Sequence, residues 1–373
     1  MDGGRQPAWE PALGAVWDPA SDPAVARAME RAVALGESVR GLTSPNPWVG
    51  AVLITPGATS YEGATEPPGG RHAEIVAIDA AVAAGAPTRG STLVVTLEPC
   101  CHVGRTGPCT EAIIDAGVAR VVVGIEDPDV QVAGRGIAGL RSAGIAVEVA
   151  SAVQSPAEGV GVGVAGVGAG VAAAESLLPY VKHRRTGRPW VTLKMAATLD
   201  GRTAAADGSS RWITGEDARR DVHRLRARAD AVLVGAGTVR ADDPELTVRL
   251  VEGRDPRRVV LGRAPEGARV RPALELGGDL GEVLDRLGTE GILEVLVEGG
   301  ARVAQEFHAS GLVDRYVVYL APALMGGGAS RPLLDGPPAA TIAELWRGRL
   351  VSVERLGDDL KVELEPLEAR GWA

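Results

Sequence analysis

Cysteine is scarce in this chain: three in 373 residues, all between Thr96 and Cys109. Three thiols cannot close a disulfide framework, and no charged, apolar, small-residue leader opens the sequence, so secretion is not expected. No apolar run is long enough, and free enough of charge and glycine, to read as a membrane span. Net positive charge is lacking as well. The formal net charge of -9 at pH 7 speaks against a general nucleic-acid surface, though it leaves room for a local basic pocket that takes a small phosphate ester. In the second half of the chain a G-x-G-x-x-G dinucleotide fingerprint is also missing. What remains is a soluble, cytoplasmic protein with no nucleic-acid or membrane partner, long enough for two domains of ordinary size.

The patterns that are present alternate strand and helix. Asp22 reads as an N-cap with Pro23 in the first helical position, followed by Val25, Ala28, Met29, Ala32 and Val33 at helical spacing. "WVGAVLIT" predicts a strand, "HAEIVAIDAAVAAG" a helix ended by Gly85, "STLVVTLE" a strand, "TEAIIDAG" a helix ended by Gly117 and "ARVVVGI" a strand. Between Ser155 and Ala174 the chain is almost wholly Gly, Val and Ala, which suits a mobile linker or a loosely helical connector better than a core element. Beyond it come "WVTLKMA", "DAVLVGA", "RRVVL", "ILEVLVE" and "DRYVVYLAP" as strands, with "GEDARRDVHRLRARA" and "GGARVAQEFHASG" as helices. Two α/β domains with parallel sheet members are expected: residues 22–152, a Gly/Val/Ala-rich linker over 153–178, and residues 179–370.

The clustered cysteines gain meaning from His72 and Glu74. Cys100 follows a predicted strand, Cys109 opens a predicted helix and His72 opens the preceding one, so three borderline-soft ligands converge at one sheet edge. Three protein ligands leave a fourth position open, the arrangement of catalytic zinc, in which the metal lowers the pKa of a bound water. "HAE" followed by "PC" and a later Cys is the zinc-deaminase signature, with the Glu as proton shuttle rather than ligand. Eight residues separate the two cysteines here, where two are usual. Cys101 reads as a small buried hydrophobe, because a fourth protein ligand would close the site.

These residues carry a family resemblance. "TSPNPWVG", "HAE", "TLEPCCHVGRTGPC" and "QVAGRG" resemble the deaminase half of the bifunctional riboflavin-pathway deaminase/reductases. "GRPWVTLKMAATLDGRTA", "SRWIT", "LRARADAVLVGAGTVRADDPELTVR" and "VEGGARVAQEF" resemble their reductase half. The resemblance implies a cytidine-deaminase-like α/β/α layered domain followed by a dihydrofolate-reductase-like α/β domain. It implies hydrolytic deamination of 2,5-diamino-6-(5-phosphoribosylamino)pyrimidin-4(3H)-one, then NADPH-dependent reduction of the ribosyl chain to ribityl. The implied cofactors are Zn2+ and NADPH, and the implied assembly is a homo-oligomer, dimer or tetramer, through the reductase domain.

Carried over residue by residue, His72, Cys100 and Cys109 are the zinc ligands and Glu74 the catalytic proton carrier, while Asn46, Arg105 and Thr106 contact substrate. In the reductase half Ala196, Trp212, Thr238, Asp242 and the run Gly300, Ala301 and Arg302 match cofactor-contacting positions. Ser210, Arg226, Leu246, Arg249 and Glu298 match substrate-contacting ones. Lys194 and Glu298 are the charged candidates for assisting hydride transfer; a lysine on an apolar strand is costly to bury without purpose, the plainer alternative being a structural ion pair with Asp200. The chain departs from the family at Thr65, where a His is common, at Leu177 and Tyr180, and at Gly262 with Arg263, where Asp-Ser is usual. Arg263 is thereby a candidate for the 2'-phosphate of the cofactor. Two other functions stay open: a single-activity zinc nucleobase or nucleoside deaminase with a structural second domain, and a non-catalytic NADP-binding or scaffolding protein with structural zinc.

Overall fold

A computed structural model describes residues 16–17, 22–101, 107–130, 132–150 and 169–367. The chain divides into two compact units, Met1–Val39 with Asn46–Leu178, and Arg40–Pro45 with Pro179–Ala373. The six residues 40–45 thus group with the second unit although they lie between two elements of the first, a detour with no sequence signal.

The first unit runs β1 (Val16–Trp17), α1 (Pro23–Ser38), β2 (Gly50–Ile54), β3 (Ser60–Ala64), α2 (Ala73–Ala83), β4 (Thr92–Leu97), α3 (Cys109–Asp115), β5 (Arg120–Ile125), α4 (Arg135–Ser142), β6 (Ala146–Ala150) and α5 (Ala169–Ser176). Asp22 caps α1 as expected, its side chain accepting the Val25 N–H. The sheet order is β1-β6-β5-β4-β2-β3. Strands β1, β6, β5 and β4 are parallel, and β2 lies antiparallel to both β4 and β3. Met29, Ala32, Val52, Val94 and Val122 are fully or almost fully buried in the core beneath α1.

The Gly/Val/Ala stretch does not remain a connector to its end. Over Ala169–Ser176 it forms α5, and Ala173 is buried in the same core as α1. Small side chains allow this: a Cβ added at Gly124 on β5 would lie 2.7 Å from the Ala173 Cβ, so helix and sheet approach closer than larger residues permit. The alanine run also favours helix once packing is available. Residues 153–168 lie outside the described residues.

The second unit contains α6 (Leu178–Thr186), β7 (Trp190–Thr198), β8 (Arg202–Ala204), α7 (Glu216–Arg228), β9 (Ala231–Gly235), α8 (Ala236–Asp242), β10 (Arg257–Leu261), β11 (Leu274–Leu276), α9 (Leu280–Thr289), β12 (Glu294–Val297), α10 (Ala301–Ala309), β13 (Arg315–Ala321), β14 (Arg331–Pro332), β15 (Gly348–Leu356) and β16 (Asp359–Pro366). Its main sheet has the order β11-β10-β9-β12-β7-β13-β16-β15. The six strands from β11 to β13 are parallel; β16 and β15 close that edge antiparallel. Val191, Leu193, Leu233, Val295, Val297 and Phe307 form its buried centre. The near-continuous apolar runs of β9 and β12 follow from burial on both faces. Loops that leave the carboxyl ends of such strands form the usual ligand crevice of an open parallel sheet.

Candidate active sites

In the first unit, three separate elements deliver the predicted ligands. His72 is the N-cap residue of α2, Cys109 the first residue of α3, and Cys100 lies three residues past the end of β4. Their ligand atoms all fall within 4.8 Å of one another. His72 Nδ1 is 3.2 Å from Cys109 Sγ and 3.5 Å from Cys100 Sγ. Tetrahedral zinc with ordinary bond lengths requires N···S and S···S separations of about 3.6 and about 3.8 Å, so this donor set fits the ion. The Cys100 thiol is drawn down to about 4 by the hydrogen bond with Cys109 and by His72, which makes it a thiolate at neutral pH. Cys101 is half-exposed rather than buried, and it stands outside the cluster.

Glu74, in the first turn of α2, is almost wholly buried. Burial first, and the Cys100 thiolate second, push its pKa up to about 7, while a hydrogen bond ties the carboxyl to Cys109. A carboxyl poised near neutrality beside a metal site is matched to carrying a proton in both directions.

One residue of the motif has no task legible in its sequence pattern. Glu98, just before Pro99 and Cys100, is buried and accepts three backbone N–H groups: Asp127 and Gly134 on Oε2 at 3.1 and 2.9 Å, and Ile137 on Oε1 at 3.1 Å. It clamps the loop after β5 and the start of α4 against the turn that presents Cys100. Its only sequence signal is a carboxylate at the end of an apolar strand, where burial demands partners.

Asn46 is half-buried in the segment that leads into β2. Arg105 and Thr106 lie outside the described residues. Thr65, at the position of the family's His, takes a structural task instead: its hydroxyl accepts the Val49 N–H at 3.1 Å and donates to the Val49 carbonyl at 3.3 Å.

In the second unit the charged candidates meet. Arg226 on α7 grips Glu298, just after β12, through Nε at 2.5 Å and Nη2 at 3.0 Å, and Lys194 Nζ on β7 is 3.9 Å from Glu298 Oε2. Burial, then the Arg226 charge, holds the Lys194 pKa below its usual value. Burial alone would raise the Glu298 pKa, but the charge and hydrogen bonds of Arg226 outweigh it and the carboxyl stays below its usual range. Asp200 is not the partner of Lys194; it accepts from Thr198 Oγ1 at 2.6 Å and from the Met325 and Gly326 N–H groups.

Ala196, Thr238 and the run from Gly300 lie at or just past the carboxyl ends of β7, β9 and β12. Ala196 lies on β7 two residues past Lys194 and therefore on the same face. Thr238 Oγ1, in α8, accepts the N–H of Gly300, the N-cap of α10, at 3.1 Å. Ala301 and Arg302 open α10, with Arg302 bridging to Asp335. Asp242 ends α8, and its carbonyl accepts from Arg211. Trp212 is 70% exposed, with the Arg219 guanidinium 4.7 Å from its ring centre. Gly262 has φ +98°, which explains glycine at that position. Arg263 beside it is exposed, with no ion pair among the described residues. Of the substrate candidates, Ser210 is half-buried, Leu246 is buried with φ +56° and the Arg249 side chain is half-exposed.

Comparison with known proteins finds a relative for each of the two units. A family model described as the cytidine and deoxycytidylate deaminase zinc-binding region matches residues 24–125, and one described as the RibD C-terminal domain matches residues 189–362. The riboflavin biosynthesis protein RibD of Corynebacterium ammoniagenes is 47% identical over 326 residues, which cover 84% of this chain and 90% of that protein. RibD of Mycobacterium tuberculosis is 41% identical over 349 residues, covering 90% of this chain and 96% of that protein. Among solved structures, Acinetobacter baumannii RibD superposes with a TM-score of 0.81 at 35% identity, covering 93% of this chain and 99% of that one. The Thermotoga maritima diaminohydroxyphosphoribosylaminopyrimidine deaminase/5-amino-6-(5-phosphoribosylamino)uracil reductase does so with 0.81 at 34% identity, covering 92% and 99%.

Proposed function

The chain belongs to the RibD family of riboflavin biosynthesis, and from that premise we propose which residues carry each of its two reactions. It is a bifunctional enzyme, a zinc-dependent deaminase and an NADPH-dependent reductase. Its substrates, by the activities named for the Thermotoga protein, are diaminohydroxyphosphoribosylaminopyrimidine and then 5-amino-6-(5-phosphoribosylamino)uracil.

In the deaminase, His72, Cys100 and Cys109 hold the zinc ion, which when bound supplies the Lewis acidity that makes water a nucleophile at neutral pH. Glu74 takes a proton from the attacking water and places it on the adjacent ring nitrogen, then carries the second proton, from the added hydroxyl, to the departing amino nitrogen. The water oxygen becomes the ring carbonyl and ammonia leaves. A Glu74 pKa near 7 supports both halves of this cycle. Asn46, Arg105 and Thr106 contact the substrate.

In the reductase, NADPH when bound would supply the hydride for the anomeric carbon of the ring-opened, imine form of the ribosyl group. Lys194 gives the imine nitrogen its proton, for which a lowered pKa is suited. Glu298 balances the developing positive charge and orients Lys194, and Arg226 keeps Glu298 ionised. Ser210, Leu246 and Arg249 hold the pyrimidine and its phosphoribosyl chain. Ala196, Trp212, Thr238, Asp242, Gly300, Ala301 and Arg302 cradle the cofactor, with free N–H groups at the start of α10 suited to its phosphates. Arg263 takes the 2'-phosphate.

The observation that carries the reading is the convergence of His72, Cys100 and Cys109 beside a buried Glu74. Incubating the full chain with the diaminopyrimidine phosphate, with and without NADPH, and identifying products by mass tests it. Glu74→Gln is expected to abolish ammonia release yet still to oxidise NADPH when the deaminated compound is supplied. Failure of a folded variant on both would overturn the assignment.

A homo-oligomer formed through the reductase unit is supported by the exposed apolar side chains of Leu345, Trp346, Leu350, Val353 and Leu360 along and beside the β15–β16 hairpin at the sheet edge. A monomeric sedimentation coefficient at micromolar concentration would exclude it. No helix among the described residues is long and apolar enough to cross a membrane, and residence in the cytoplasm agrees with three cysteines none of which is in a disulfide.

A further inference from the structure

One buried titratable side chain at the reductase site has no part in the chemistry above. His223 lies on α7 one turn before Arg226 and is 6% exposed. We propose that His223 is a positioning residue of the reductase, whose Nδ1 holds the backbone of Arg249 and so fixes the segment 246–249 against the Arg226–Glu298 pair. The proposal deepens the reading above, in which Leu246 and Arg249 contact the pyrimidine substrate.

The geometry is a two-point clamp. His223 Nδ1 accepts the Arg249 N–H at 2.9 Å, and Arg226 Nη1 donates to the Thr247 carbonyl at 3.1 Å. Residues three apart on a helix share a face, so α7 presents one acceptor and one donor to alternate residues of the same segment. That segment belongs to no strand or helix, and its backbone groups therefore depend on side-chain partners. Asp255 adds a third tie, accepting the Val248 N–H at 2.7 Å. Leu246, at φ +56°, is a conformation that side-chain-bearing residues rarely adopt and that persists only where the surroundings determine it. The arginine whose backbone His223 holds is tethered at its other end by Glu245 Oε2 at 2.6 Å and Thr247 Oγ1 at 2.6 Å. Its guanidinium therefore starts from a defined place relative to Glu298.

The clamp requires a neutral imidazole with the proton on Nε2, because a ring nitrogen that accepts an N–H cannot carry a proton. Burial and the cations of Arg226 and Arg249 favour the neutral form. The chemistry at position 223 is thus an acceptor at the δ position of a side chain. Asparagine reproduces that atom with Oδ1, glutamine carries its oxygen one bond too far, and phenylalanine keeps the ring without the acceptor.

The test compares His223→Asn, His223→Gln, His223→Phe and Arg249→Ala in the full chain. Reductase kcat and KM are read for 5-amino-6-(5-phosphoribosylamino)uracil and for NADPH, with deaminase turnover as control. Losing the buried acceptor is expected to raise the pyrimidine KM about tenfold in the Gln and Phe variants. Reductase kcat and the NADPH KM are expected to stay within about threefold, and Asn to restore the pyrimidine KM. Equal pyrimidine KM in the Asn, Gln and Phe variants overturns the proposal, as does a parallel loss of kcat and of both KM values. If Arg249→Ala leaves the pyrimidine KM unchanged, the assignment of Arg249 to the substrate fails; if it raises KM while the Gln and Phe variants do not, the positioning role of His223 alone fails.

Discussion

Glu98→Gln isolates the contribution of one buried carboxylate to the metal site without changing its shape. The carboxylate accepts three backbone N–H groups, two on Oε2 and one on Oε1. Glutamine can place its oxygen where Oε2 stood and keep the Asp127 and Gly134 bonds, but its amide nitrogen then faces the Ile137 N–H, donor against donor. One hydrogen bond to a charged acceptor disappears and a buried N–H is left unpaired, a loss of about 2–4 kcal/mol. The opposite flip loses two bonds and is worse. In a unit of this size about 2–4 °C of melting temperature corresponds to each kcal/mol, so the deaminase transition is expected to fall by about 4–16 °C. Since the clamped turn carries Cys100, zinc retention against a chelator is expected to weaken together with deaminase turnover, while the reductase keeps its rate. Calorimetry, metal content and the two separate assays measure this. A variant that melts with wild type and holds zinc equally well would refute the reasoning that Glu98 sets the cysteine turn.

Cys109→Ser is expected to lose zinc and Cys101→Ser to retain it, by metal analysis of the purified variants; equal loss would overturn the ligand set. Lys182 and Asp314 form a close buried ion pair in the second unit, and Asp314 also accepts the Val191 N–H at 2.7 Å. Lys182→Met is expected to destabilise that unit by about 3–5 kcal/mol, and Lys182→Met with Asp314→Leu to recover much of it, read by denaturant unfolding. His223 is held at about 4, below its usual 6.5, by burial and by Arg226 and Arg249 against the opposing charges of Glu298 and Asp255. Its folded-state pKa is depressed, so the unfolded chain binds the extra proton. Wild type is therefore expected to lose stability relative to His223→Asn as pH falls from about 6.5 to 4, and to match its slope above pH 7. Arg263→Ala is expected to weaken NADPH far more than NADH, by about 1.5–3 kcal/mol, in titrations of both cofactors; a parallel loss would remove Arg263 from the 2'-phosphate.

The zinc centre was legible in the sequence because its chemistry is punctuated locally. His72 and Cys109 each stand at a helix start and Cys100 follows a strand, and Pro99, Pro108 and the glycines that end the two helices mark those elements without knowledge of distant contacts. The parallel strands β9, β10 and β12 were equally plain, since apolar runs buried on both faces leave a continuous signature. Less was readable where the deciding partner is remote. The Gly/Val/Ala stretch has the composition of a connector, and only the pocket beside Gly124 turns its last part into a core helix. Nothing in the residues of the β15–β16 hairpin announced a sheet edge, because its exposed and buried positions do not alternate cleanly. Proximity in sequence leaves Asp200 open as an ion-pair partner for Lys194, and only the fold sets Glu298, just past β12, beside it instead. Thr65, Glu98 and His223 share that character: each is a single polar side chain whose task is set by backbone groups brought beside it from elsewhere in the chain. Residue types and their local spacing determined which chemistry this chain performs, because metal ligation and helix starts are short-range properties. Tertiary structure alone decided which charges pair and which loops are held, because burial makes a polar group's partner obligatory without specifying where along the chain that partner lies.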